Sequence, residues 1–185
     1  THENSSAASD VYKRQSWDRA IANLNKFDLR IKTYLMFKPP FMNEADALDH
    51  CISWIESVAE HSDEISVNPM NIQRGTVIDR LHRHNEYRPP WLWSLVDMIQ
   101  RAHPLIHPEN GVNGDPDQVS RLIVHPTAGG KIRGSHNCGS CDAEVVAAIE
   151  RYAVSGSLLE FEGLECTCRK VWQEEINLER CLPVP

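Results

Sequence analysis

The sequence predicts an α/β fold, because short apolar strands alternate with amphipathic helices and a cysteine-rich segment follows them. Residues 64–98 give the clearest unit: a β-branched stretch from Ile65 to Asn68 is stopped by Pro69 and followed by a polar turn and a helix. A strand, turn and helix of this kind is the building unit of an α/β barrel or a doubly wound sheet. In both folds, ligands bind over the carboxyl ends of the strands.

The polar turn after this strand carries candidate binding residues. Asn68, Asn71 and Gln73 are neutral amides that both donate and accept hydrogen bonds. The alternative is that these amides cap backbone groups of the turn itself. Thr76 and Asp79 fit a capping box, which predicts that the next helix begins here.

The composition is that of one ordinary globular domain. The chain has 185 residues, 41% of them hydrophobic, and no apolar run near the length of a membrane span. We find no signal peptide, and six cysteines without one indicate reduced thiols in a cytoplasmic protein. The formal charge of −7 does not exclude a nucleic-acid partner, because one basic face is sufficient.

Residues 1–15 differ in character from the rest. The stretch DVYKRQ resembles a translated sequencing adapter, so we interpret residues 1–15 as an adapter-derived artefact and expect them to be disordered. On that interpretation an N-terminal part of the natural protein is missing. A natural Ser/Ala-rich tail is the alternative.

The elements that precede the central unit follow from apolar spacing. Residues 17–26 have helical periodicity, and residues 29–37 are apolar enough to be a strand that is buried on both faces. Two prolines stop this strand and leave Lys38 at its carboxyl end. Residues 43–61 then form a helix with its acidic residues outward, so strand, helix and strand make a right-handed parallel unit.

The second half begins with another helix and a third strand. Pro89-Pro90 favours the start of a helix, residues 103–118 have the composition of a loop, and residues 121–125 are strand-like. A Gly-rich basic stretch, residues 127–138, leads from there into the cysteine-rich segment.

Four cysteines in this segment have the spacing of metal ligands. Cys138 and Cys141 form a CxxC motif, and Cys166 and Cys168 form a CxC motif after an intervening helix. Zinc and iron–sulfur clusters both accept four sulfurs, and zinc is favoured because no cysteine lies in a redox-like run. We expect the four sulfurs to lie within about 4 Å of each other. The alternatives are four packed thiols, or His136 as a spare ligand.

Four motifs together carry a family resemblance: FKPPF, NPMNIQRGT, EYRPPWLW and HNCGSCD. They resemble the radical S-adenosylmethionine (SAM) proteins of archaeosine biosynthesis, in the elongator- and methylthiotransferase-like part of that superfamily. The resemblance implies the C-terminal half of a partial (β/α)6 TIM-like barrel, with SAM over a [4Fe–4S] cluster and a small helical Cys-rich C-terminal module. It also implies a lyase that converts a lysine-modified 7-deazaguanine base in tRNA to archaeosine, with a transferase subunit as partner.

The resemblance also divides the chain and assigns its sites. Residues 16–126 would be the C-terminal strands and helices of the barrel, and residues 127–185 the metal-binding module. The residues implied to bind SAM are Lys38, Asn68, Asn71 and Gln73. The candidates for contact with RNA phosphates are Arg83, Arg88, Lys131 and Arg133.

One departure from the family pattern is important. The CxxxCxxC motif that ligates the radical cluster does not occur in this chain, so we expect its ligands in the missing N-terminal half and expect the chain alone to be inactive. Two other functions remain possible at this point. One is a different radical SAM modification of tRNA, of the methylthiolation or carboxymethylation type. The other is a non-catalytic, zinc-stabilised domain that binds RNA or protein.

Overall fold

The computed structural model describes residues 15–27, 29–107 and 120–181. The expectation for residues 1–15 therefore lies outside the described residues, except at residue 15, where the first helix is already present. Most of the predicted loop 103–118 lies outside them as well.

Helices and strands alternate along the described chain. In order they are α1 (residues 15–24), a 3-10 helix (Asn25–Phe27), β1 (Lys32–Phe37), α2 (Glu44–Ala59), β2 (Glu64–Pro69), α3 (Val77–Arg83), α4 (Leu92–Ile106), β3 (Arg121–Val124), α5 (Asp142–Ser155), a second 3-10 helix (Leu158–Phe161) and α6 (Cys168–Cys181). None of the helices in the described ranges is long and apolar enough to cross a lipid bilayer.

Local capping sets the ends of several helices. The side chain of Asn43 accepts a hydrogen bond from the Asp46 N–H at 2.7 Å and begins α2. Thr76 begins α3, as the capping box predicts, although its hydroxyl accepts from Asp79 at a longer 3.3 Å. Gly156 ends α5 in the left-handed conformation, with φ of 67°.

The three strands form one parallel sheet in the order β1-β2-β3. Leu35 pairs with Val67, and Val67 pairs with Val124. The prediction that the first two strands are parallel neighbours is therefore confirmed, and the segments that follow them lie at the same edge of the sheet. Helix α2 packs against β1, while α4 and α5 pack against β3.

One hydrophobic core joins both halves of the chain. The buried cluster includes Phe37 at the end of β1, Leu92 in α4, Ile149 in α5 and Trp172 in α6. The helices that carry the cysteines are therefore packed into the same core as the sheet. The division of the chain at residue 126 stays a prediction.

The expectation of a partial (β/α)6 barrel is wrong. The described residues form a small α/β domain with six α-helices around an open three-stranded sheet, in which β1 and β3 each pair only with β2. Burial of β1 on both faces was also expected wrongly, because Tyr34 and Met36 are 66% and 57% exposed. The motifs describe local strand–turn–helix units, and such units occur in many α/β folds.

Candidate metal centre and adjoining cleft

The four cysteines converge at one point. The sulfur of Cys138 lies 3.6 Å from that of Cys166, the sulfur of Cys141 lies 3.6 Å from that of Cys168, and all four lie within 4.8 Å of one another. Zinc–sulfur bonds of about 2.3 Å in a tetrahedron give sulfur–sulfur edges of about 3.8 Å. The predicted convergence is confirmed, although the four sulfurs lie within 4.8 Å and not within the expected distance of about 4 Å. The four cysteines could bind a metal such as zinc.

A buried carboxylate shapes the turn that presents the first cysteine pair. One oxygen of Asp142 accepts hydrogen bonds from the backbone N–H groups of Asn137 at 3.1 Å and Gly139 at 3.0 Å. Gly139 has a φ of 92°, which a residue with a side chain rarely adopts. The turn therefore brings Cys138 and Cys141 to the same side, next to the start of α6.

Two N–H donors lie against the buried half of the cluster. The indole N–H of Trp93 donates to the sulfur of Cys168 at 3.2 Å, and the amide of Asn137 donates to the sulfur of Cys141 at 3.4 Å. Cys141 and Cys168 are the two buried cysteines of the four. Hydrogen bonds of this kind orient metal ligands and stabilise their charge.

The protein alone does not favour four thiolates. Burial raises the pKa of the Cys141 and Cys168 thiols, while hydrogen bonds from the backbone N–H groups of Ser140 and Cys141 lower the pKa of Cys138 to about 6. Four negative sulfurs at these distances would repel one another, so a bound cation is needed to compensate them. A donor set of sulfur alone fits zinc or an iron–sulfur cluster.

The remaining candidate ligands lie apart from this cluster. His136, the spare ligand of the sequence analysis, donates from Nδ1 to the Gly134 carbonyl at 2.8 Å. Cys51 is buried within α2, where burial raises its pKa to about 12, and Cys181 is exposed at the end of α6.

The loop before the cysteines is tied to the turn before α3. Arg133 donates to Asp79 at 2.6 Å and to the Ile72 carbonyl at 3.1 Å, and the Ile72 N–H donates to the Arg133 carbonyl at 2.8 Å. Arg83 pairs with the second oxygen of Asp79. The N–H of Gly75 and then Arg133 hold the pKa of Asp79 well below its usual range.

Asp79 brings Arg83 of α3 and Arg133 of the loop together. We use the name basic face for these two residues with the exposed cations next to them in sequence, which are Arg74, Arg80 and Lys131. Three of the four predicted phosphate contacts belong to this set. The fourth, Arg88, instead stacks at 3.8 Å on the Trp91 ring and donates to the His136 carbonyl at 2.9 Å. RNA contact by these four residues stays a prediction.

The predicted SAM residues lie after two neighbouring strands, at the same edge of the sheet, and each has a protein partner. Lys38 is buried and pairs with Glu44. The amide of Asn68 donates to the Ser66 carbonyl at 3.3 Å, and the amide of Gln73 donates to Asn71 at 2.6 Å. Within the described residues, only Asn68 of these amides bonds a backbone group, and that group belongs to β2. SAM binding at these positions, and the alternative that the amides cap the turn, both stay predictions.

A cleft of about 670 Å³ opens at the carboxyl end of β1. We call it the Lys38 cleft, and its walls come from the start of α2, the segment after α3, the loop 125–141 and α6. The buried Glu44, which also accepts the Trp91 N–H at 2.9 Å, holds Lys38 in the wall of the cleft.

The sequence analysis missed Glu44 because it counted this residue with the outward acids of α2. The available signal was its position at the first residue of the helix, directly after the Asn43 cap.

Three proteins are similar in sequence to most of this chain. The chain is 31% identical over 165 residues to archaeosine synthase subunit beta of Methanosarcina acetivorans, covering 89% of this chain and 44% of the relative. It is 33% identical over 153 residues to the protein of the same name from Thermococcus kodakarensis, covering 80% of this chain and 43% of the relative. An uncharacterized protein of Methanocaldococcus jannaschii is 29% identical over 171 residues, covering 90% and 43%.

Two further comparisons found nothing. No family model matches the chain. No solved structure matches it.

The expectation of a radical SAM lyase, and of an enzyme in this chain, is wrong on these findings. The relatives are named as one subunit of a synthase, and an open three-stranded sheet is present where the lyase required a barrel. The alternative of a non-catalytic, zinc-stabilised domain that binds RNA or protein agrees better with the four-cysteine cluster. Over most of its own length this chain is similar to archaeosine synthase subunit beta, of which it spans less than half.

Proposed function

We propose that this chain is a zinc-stabilised, non-catalytic part of an archaeosine synthase subunit, and that its basic face binds tRNA. The observation that carries the proposal is the loop 125–141. This one loop ends in the metal ligands Cys138 and Cys141 and also carries Lys131 and Arg133 of the basic face. Zinc at the cysteines would therefore fix the loop that presents two of the cations.

The charge of the basic face suits a phosphate backbone. Two of its five cations, Arg83 and Arg133, pair with the single buried carboxylate Asp79, which neutralises only part of the charge of the face. Arginine and lysine contacts to phosphates supply most sequence-independent affinity for nucleic acids. The overall charge of −7 is therefore compatible with local RNA binding.

The names of the relatives support the substrate and the partner. Both are called a subunit of archaeosine synthase, and archaeosine is the modified tRNA base to which the sequence resemblance also pointed. A second synthase subunit is part of the proposal for the same reason. It would supply the catalysis that this chain does not contribute.

Binding of a tRNA transcript, followed by fluorescence anisotropy over a range of salt concentrations, tests the basic face. The double variant Arg83→Ala/Lys131→Ala should bind more weakly, and the slope of log affinity against log salt should fall by about 1 for each phosphate that the protein no longer neutralises. The matched control is Lys26→Ala, which removes a cation from the 3-10 helix Asn25–Phe27. An unchanged affinity and slope in the double variant would contradict RNA binding by this face.

The link from zinc to RNA has its own test. Cys138→Ser removes a sulfur and no cation, so it should weaken tRNA binding only by freeing the loop 125–141. Cys181→Ser, at an exposed thiol outside the cluster, is the control. Equal tRNA binding by the two variants, with zinc lost from only the first, would show that the metal does not hold the face.

A further inference from the structure

The Lys38 cleft adjoins the basic face but takes no part in it. His82 of α3 and Ile132 and His136 of the loop 125–141 line the cleft, and the same helix and loop carry the cations of the basic face. Its volume of about 670 Å³ is within the usual range for small-molecule sites. A strand of RNA on the basic face would therefore pass its mouth.

Two large apolar side chains stand at this cleft and are open to solvent. Phe41 is 86% exposed and Ile132 is 68% exposed, and both line the cleft. Phe41 also has a φ of 68°, and nearby Lys38 has a φ of 53°. Such left-handed conformations are costly for residues with side chains and concentrate at ligand sites. An exposed aromatic ring in this setting is suited to stacking on a base.

Two histidines offer acceptors of fixed orientation. Nδ1 of His82 lies 3.2 Å from the Tyr87 carbonyl, and Nδ1 of His136 lies 2.8 Å from the Gly134 carbonyl. A carbonyl oxygen only accepts, so each Nδ1 carries the hydrogen and each Nε2 is left for another partner.

Two carboxylates of α6 complete the set of acceptors. Glu175 accepts the indole N–H of Trp91 at 3.1 Å, and Glu179 accepts the Ala45 N–H at 2.8 Å. Each carboxylate is thus oriented through one oxygen, and both residues line the cleft. Glu86 and Arg88 also line the cleft, and Lys38 is neutralised by Glu44. A phosphate would therefore meet more carboxylates than free cations here. A neutral ring with N–H donors would meet acceptors.

We propose that the Lys38 cleft receives a single nucleobase of the bound RNA, stacked on Phe41, with its N–H donors directed to the histidine and glutamate acceptors. The inference rests on the proposed RNA-binding function and deepens it. Guanine, whose amino group and ring N–H are donors, is the base used as the probe.

The first test separates stacking from phosphate contact. Phe41→Ala should weaken binding of the tRNA transcript by roughly tenfold and leave the salt slope unchanged, whereas Lys131→Ala lowers the slope. Phe27→Ala, which removes an aromatic ring that is 72% exposed elsewhere, is the control and should bind like the unaltered chain. Thermal unfolding of each variant checks that the fold is kept.

The second test locates the base directly. A transcript that contains 6-thioguanosine, irradiated on the unaltered chain, should crosslink to peptides that contain Phe41 or Ile132, as read by mass spectrometry. The cleft assignment alone would be overturned by two results together: crosslinks confined to other peptides, and Phe41→Ala binding as tightly as Phe27→Ala. This holds if Arg83→Ala/Lys131→Ala still weakens binding, because RNA binding by the basic face would then stand. No binding of tRNA by the unaltered chain would overturn the proposed function and this inference together.

Discussion

Arg133 donates a hydrogen bond to Asp79 at 2.6 Å across 54 positions of the sequence. Asp79 is the first-turn carboxylate of α3, and its side chain is only 1% exposed. Arg133 belongs to the loop that ends in the metal-binding cysteines. This pair therefore connects the metal centre to helix α3 of the basic face, because Arg133 lies in the loop with the cysteines and Asp79 lies in α3.

Asp79→Asn should lower the stability of the protein at neutral pH. The change removes the charge that Arg83 and Arg133 surround, and it removes the carboxylate that accepts the Gly75 N–H at 3.0 Å. We expect a lower urea midpoint, measured by tryptophan fluorescence. The control is Glu150→Gln, at an exposed carboxylate of α5, which should unfold like the unaltered chain.

The effect of Asp79 on stability should depend on pH in one direction. The folded-state pKa of Asp79 is below its ordinary value, so its contribution is fully present above the unfolded pKa of about 3.9 and is lost as the pH falls towards the folded value. The difference in stability between Asp79→Asn and the unaltered chain should therefore shrink between pH 5 and pH 2. A constant difference over this range would show that Asp79 acts by shape and not by charge.

The order of elements was readable from the sequence because it is set locally. Apolar periodicity predicted a strand at 29–37 and a helix at 43–61, and the structure has β1 at Lys32–Phe37 and α2 at Glu44–Ala59. The cysteine convergence was readable for a related reason: two short motifs with ligand spacing have few ways to satisfy one ion.

The assembly of these elements was not readable in the same way. The position of Glu44, buried between Lys38 and the Trp91 N–H, depends on chain segments far apart in sequence. The Arg133–Asp79 contact has the same origin. The expectation of a barrel was wrong because a strand–turn–helix motif does not determine the number of strands in the sheet.

Glu44→Gln should be strongly destabilising. The ammonium group of Lys38 is buried and pairs with this carboxylate, and a buried charge left without its partner costs about 3–5 kcal/mol. The double variant Lys38→Met/Glu44→Gln should recover much of that loss, which urea denaturation measures. Glu64→Gln is the control: it breaks the more exposed pair with Lys32 and should cost much less stability, because solvent screens an exposed pair. Equal costs for the two single changes would contradict the buried pair.

Removal of the metal should lower the midpoint of thermal unfolding by roughly 10 °C. A ligand at 1,000 times its Kd stabilises the folded state by about 4 kcal/mol, and each kcal/mol moves the midpoint of a chain of this size by about 2–4 °C.

Metal analysis of the purified chain should give about one zinc per chain. Cys168→Ser should lose it, and Cys181→Ser should keep it. Hydrogen exchange should rise first in the loop 125–141, because this loop carries two of the ligands. Iron and acid-labile sulfide in place of zinc would identify an iron–sulfur cluster.

Trp93→Phe should weaken metal binding while all four sulfurs remain. The indole N–H of Trp93 donates to the sulfur of Cys168 at 3.2 Å, and loss of such an outer hydrogen bond typically lowers metal affinity by about 10–100-fold. Trp172→Phe is the matched control, because Trp172 is also buried but donates at 2.8 Å to the hydroxyl of Ser94. Competition with a chromogenic zinc chelator measures both affinities. Either change removes a buried indole N–H, so both variants should lose a similar amount of stability. If only Trp93→Phe also loses zinc affinity, the loss of affinity is due to the contact with the Cys168 sulfur. Equal zinc affinities would mean that the Trp93–Cys168 hydrogen bond contributes to packing alone.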